Sequence, residues 1–136
     1  MRRLMTIMAA AFLMPLIACG DEDPADPTIE ASGTYTLRSI NGQDLPVTVL
    51  QIGADMVEVL DGEIRLNTDH TFSDSTTLRI TEGGQVSTDV ESLRGTYVQS
   101  STSVTLTPTG GAAYALALSD DVLTQTVGQY VLVYRR

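Results

Sequence analysis

TSVTLTPTGGAAYALAL, residues 102–118, is the stretch whose reading decides the fold. Val104 and Leu106 alternate with Thr105 and Thr107, and Tyr114, Leu116 and Leu118 alternate with Ala113, Ala115 and Ala117. A period of two puts successive side chains on opposite faces of an extended chain, so each run reads as a half-buried strand. Pro108 to Gly111 between them supplies turn chemistry. Together they predict an antiparallel hairpin.

The same reading extends in both directions. Leu78 and Ile80 oppose Thr77, Arg79 and Thr81, and Ile64 and Leu66 oppose Glu63, Arg65 and Asn67. Turn signals recur at Asn41-Gly42, Gly53 to Asp55, Asp61-Gly62, Asn67 to His70, Gly83-Gly84, Ser100-Ser101, Ser119 to Asp121 and Gly128. Strands are predicted at 33–40, 46–52, 56–60, 63–67, 71–81, 86–99, 102–107, 112–118, 122–127 and 129–135. Val57 and Val59 favour strand over helix in the one segment open to both. Tyr130 to Tyr134 is apolar on both faces, which places the last strand centrally or against the first. The expected fold is all-β: an antiparallel up-and-down meander of eight to ten strands forming a small barrel, with a two-layer β-sandwich as the alternative. Barrel closure removes the strand edges that invite aggregation.

The N-terminus has a different grammar. Arg2 and Arg3 precede an uncharged run from Leu4 to Ile17. Those 14 residues fall short of the roughly 20 that a transmembrane helix needs. Leu16-Ile17-Ala18-Cys19 reads as the lipobox of a bacterial lipoprotein, with Cys19 the site of lipid attachment and residues 1–18 a removed signal peptide. Each buried methylene of an acyl chain contributes about 0.8 kcal/mol, so two or three chains hold firmly. By resemblance to Gram-negative lipoprotein sorting, in which aspartate after the cysteine favours the inner membrane, Gly20 at that position implies the outer membrane, periplasmic face. Residues 19–32 then form an acidic, proline-broken tether, and 33–136 the barrel domain.

Composition narrows the function. From Cys19 onward the chain carries 6 Arg against 17 acids, a net charge of −11, with no lysine. That surface repels phosphate, so nucleic acid is not an expected partner. With its single cysteine acylated the chain has no disulfide available, and packing must stabilise it.

Several segments resemble the lipocalin-like domains of small bacterial lipoproteins. They are Gly33-Thr34-Tyr35-Thr36-Leu37, Asn41-Gly42 with Leu45-Pro46, Gly62 to Leu66 leading into Asp69-His70-Thr71-Phe72, and the closing Tyr130 to Arg135. The resemblance implies a calycin-type barrel. Lipocalins open with Gly-x-Trp and pack a basic residue of the last strand over that ring. Here Tyr35 stands at the Trp position, and Arg135 or Arg136 is the expected cation.

Catalytic patterns are absent from the sequence. His70 is the only histidine and lies in a turn signal, and no nucleophile elbow or phosphate loop occurs. No metal site or cofactor is expected, because strand alternation separates Asp69, His70 and Asp74. Two functions follow for a membrane-anchored protein of this kind. A barrel of this strand count can hold a small hydrophobic ligand, with Tyr35, Leu37, Phe72, Leu78, Tyr114 and Leu116 as candidate lining residues or else simply core. Alternatively the domain is a structural or interaction module that meets another envelope protein.

Overall fold

The computed structural model describes residues 29–136; the lipobox, Cys19 and most of the tether lie outside the described residues. Ten strands follow one another: β1 (Gly33–Ile40), β2 (Gln43–Asp44), β3 (Val47–Ile52), β4 (Asp55–Leu66), β5 (Thr71–Glu82), β6 (Gln85–Gln99), β7 (Ser103–Pro108), β8 (Tyr114–Ser119), β9 (Val122–Val127) and β10 (Tyr130–Arg135). No helix forms among the described residues.

Neighbouring strands in the chain pair antiparallel from β3 through to β10, and β10 pairs with β1. The ring closes because β1 also pairs with β4, from Gly33↔Leu66 to Thr36↔Glu63. The result is a closed eight-stranded up-and-down barrel, with β2 and β3 as additional strands, rather than a two-layer sandwich. The last strand meets the first, as its two-sided apolar pattern predicts.

One expected turn is absent. Asp61-Gly62 lies inside β4, whose ladder with β5 runs from Met56↔Thr81 to Leu66↔Phe72 and skips only Leu60. Gly62 is small for a different reason. A Cβ there would stand 3.0 Å from Cβ and Cδ2 of Leu37, where β1 crosses to close the ring. The bulge at Leu60 also lets both Val59 and Ile64 face the core, although an odd number of positions separates them. Asn41 and Gly42, with φ of 50° and 76°, form the tight turn that their sequence predicts.

The core is aliphatic with an aromatic lining. Tyr35, Leu37, Ile40, Ile64, Leu66, Phe72, Tyr97, Val104, Leu106, Leu116, Leu118, Leu123 and Tyr134 are all buried inside the ring. Gly95 makes room for Phe72: a Cβ at that position would lie 2.9 Å from the Phe72 ring and 2.0 Å from the Thr107 carbonyl oxygen.

Strand lengths are unequal, and this shapes the molecule. β5 pairs with β6 along its whole length, from Thr71↔Thr96 to Glu82↔Gln85. β7 accompanies β6 only from Gly95 to Gln99. The first half of β4 leaves β1 and takes β3 as its partner instead. A four-stranded sheet, ordered β3-β4-β5-β6, therefore projects beyond the ring.

Candidate functional site

The two ends of the barrel differ. At the end where β1 begins, the chain before it folds back as a plug. Ala31 is fully buried, and Ile29 packs on the core. Tyr35 Oη donates to the Ala31 carbonyl at 2.9 Å, and Gln99 accepts from Ala31 N while donating to the Ile29 carbonyl. Arg136 completes the closure. Its guanidinium lies 5.5 Å from the centre of the Tyr35 ring and donates to the carbonyls of Glu30 and Ser32 and to the Asp121 carboxylate. Residues 29–32, expected as the last of the tether, thus belong to the barrel.

At the other end lies the projecting sheet. Bulges aside, its faces follow from register. Val59 and Leu78 pair and continue the core face, so Val57 with Ile80 and Asp55 with Glu82 extend that face outward. From β3, Leu50 pairs with Val57 and Ile52 with Asp55. These side chains form an open recess of about 220 Å³, apolar in its floor and rimmed by the carboxylates of Asp55 and Glu82. Leu50 is 52% exposed and Ile52 is 70% exposed. The Tyr130 hydroxyl, from the start of β10, donates to the Val49 carbonyl and ties the root of β3 to the ring.

An inward-facing carboxylate marks this mouth. Asp74 pairs with Ile64 on one side and Leu93 on the other, on the same face of β5 as Phe72 and Leu78. The Tyr114 hydroxyl donates to Asp74 Oδ2 at 3.2 Å. Burial raises the Asp74 pKa above the ordinary carboxylate value, and the Tyr114 hydrogen bond opposes the rise. Burial, then the nearby Asp74 charge, pushes the phenols of Tyr114 and Tyr134 upward.

The six candidate lining residues fall into two groups. Tyr35, Leu37, Phe72 and Leu116 are buried in the barrel core. Leu78 and Tyr114 are half-buried at the mouth and pack against that core. Phe72 also borders a shallow recess of about 600 Å³ between Arg65 and Arg94. His70 is an exposed turn residue at a positive φ of 65°, with its ring tilted against Tyr97. No group of three metal-ligating side chains converges among the described residues.

Comparison with protein-family models, with curated proteins and with solved structures returns no match. The site is therefore read from its own chemistry.

Sequence reasoning missed two features of the mouth. Asp74 had a visible signal: it is the one acid in the inward row Phe72, Asp74, Thr76, Leu78, Ile80. The exposed recess had none, because Leu50, Ile52 and Ile80 look like core residues until their partners are counted.

Proposed function

We propose that the chain is a lipid-anchored bacterial envelope lipoprotein, held at Cys19 on the periplasmic face of the outer membrane, whose barrel is a platform for the projecting sheet. The sheet is an interaction module that meets another envelope protein. The observation that carries this reading is the exposure of Leu50 and Ile52 at the tip of a sheet whose ring end is fully packed. Contiguous exposed apolar surface rimmed by polar groups is the ordinary mark of an interaction site. A hydrophobic ligand within the barrel draws less support. Four of its six candidate lining residues are core side chains packed against one another.

The anchor and the platform are tested separately. Cys19→Ser is expected to abolish palmitate labelling of the chain; continued labelling would remove the lipoprotein reading. For the platform, a photo-crosslinking residue at Ile52 is expected to give a discrete adduct in intact cells. The same residue at Thr105, on the wall of the ring, is expected to give none. Equal yields from the two positions would contradict an interaction role for the sheet.

A further inference from the structure

The outer margin of the projecting sheet is β6 itself. From Gln85 to Arg94 its inner edge is bonded to β5, while β7 reaches β6 only at Gly95. The Arg94 carbonyl accepts from Thr109 N, so the open edge runs over residues 85–93, about 30 Å of extended chain. Along it the alternate residues Val86, Thr88, Val90 and Ser92 turn backbone groups outward, and of these the Val90 N–H is bonded to Asp89 Oδ1. All nine residues of the stretch are exposed. Natural proteins ordinarily blunt such an edge by shortening it, covering it or breaking it with proline or a bulge. None of these devices occurs here; the one guard is charge, Asp89 and Glu91, which repels acidic strands and admits a basic one. The β5–β6 ladder runs through this stretch without a register shift, and it contains no proline.

The side chains along the edge fall into two kinds by face. Asp89 and Glu91 lie on the face that continues the barrel core, opposite Leu78 and Thr76. Val86 and Val90 lie on the other, opposite Thr81 and Thr77. A strand added here would satisfy both faces if it alternated basic and β-branched residues, since directly opposite pairs of that kind are favourable. A second copy of this chain answers the charges poorly. Antiparallel self-pairing about a two-fold axis sets one residue against itself. Axes on Asp89, Val90 or Glu91 bring together Asp89 with Asp89, Asp89 with Glu91, or Glu91 with Glu91, and like charges directly opposite are destabilising. An axis on Thr88 avoids this but sets Asp89 against Ser87 and Glu91 against Gln85, with no cation opposite either.

We propose that the 85–93 edge of β6 receives an extended, cationic segment of a partner protein by strand addition. This rests on the interaction reading above and specifies its mode. Main-chain bonds along the edge provide affinity, and the Asp89–Glu91 and Val86–Val90 pairs select the alternating sequence.

The test uses the full chain in detergent and three synthetic probes of about ten residues. One alternates Lys and Val, one alternates Glu and Val, and one is the Lys–Val peptide with alternate backbone amides N-methylated. Amide hydrogen exchange is read over residues 85–93. The Lys–Val peptide is expected to slow exchange there by about tenfold or more, and the other two to leave it unchanged. Asp89→Lys with Glu91→Lys, both at exposed positions, is expected to remove the protection. The proposal is overturned if the Lys–Val peptide gives no protection, if the N-methylated or Glu–Val peptide protects equally, or if the chain alone dimerises through 85–93. An Ile52 crosslink that persists beside any of those results would retain the interaction module and reject only strand addition.

Discussion

The guanidinium of Arg136, the last residue, lies 5.5 Å from the centre of the Tyr35 ring, and the two residues together lock one end of the barrel. Tyr35 reaches the Ala31 carbonyl from inside, and Arg136 holds the carbonyls of Glu30 and Ser32 from outside. Truncation of Arg136 removes a cation–π contact of about 0.5–1 kcal/mol together with several charge-assisted hydrogen bonds. Arg136→Ala is expected to lower unfolding free energy by about 2 kcal/mol in urea titrations. An unchanged midpoint would show that the plug is held without it.

Gly95 and Gly62 probe the ring itself. Gly95→Ala places a methyl 2.0 Å from the Thr107 carbonyl oxygen, inside the β6–β7 ladder, so backbone must move. Gly62→Ala meets only Leu37 side-chain atoms, at 3.0 Å. The expected cost for Gly62→Ala is about 1–3 kcal/mol, and Gly95→Ala is expected to cost more. Thermal unfolding of the two variants checks the order, and the reverse order would contradict the closure geometry.

Asp74 gives the fold a dependence on pH. Its carboxyl holds a proton more tightly when folded than when unfolded, because burial disfavours the charged form. Below the unfolded pKa both states are protonated and nothing is lost. As pH rises from that value through the raised folded value, the folded state binds the extra proton, so stability falls. Asp74→Asn keeps an acceptor for Tyr114 and removes the ionisation. The variant is expected to gain stability over the parent at about pH 7 and to gain little at about pH 3. Urea midpoints at the two values decide it; a gain confined to low pH would reverse the sign.

Leu50 and Ile52 are expected to be dispensable for folding. Leu50→Ser with Ile52→Ser removes exposed apolar surface, so unfolding free energy is expected to change by no more than about 0.5 kcal/mol per site. The same variant is expected to lose crosslinking from a neighbouring probe at Met56. A large drop in stability would mean that these side chains serve the core.

Much of the barrel was legible because alternation is a local signal. The runs around Val104 and Tyr114, and the Asn41-Gly42 turn, carry their structure within a few residues. What escaped depends on distant partners. Gly62 reads as a turn residue, and only the approach of Leu37 reveals why it is small. Ile29 and Ala31 follow a proline-rich acidic tract and are too few to show a period, yet they complete the core. The lengths of β5 and β6 were also visible. That their outer halves project could not be read until β7 was seen to end at Pro108 and leave one edge without a neighbour.

The most direct measurement compares amide exchange over residues 85–93 in native membranes with that of the purified full chain. If the projecting sheet meets a partner at its β6 edge, exchange in membranes is slower by about tenfold or more, while the ring strands are unchanged. Equal rates in the two preparations would contradict an interaction at this edge.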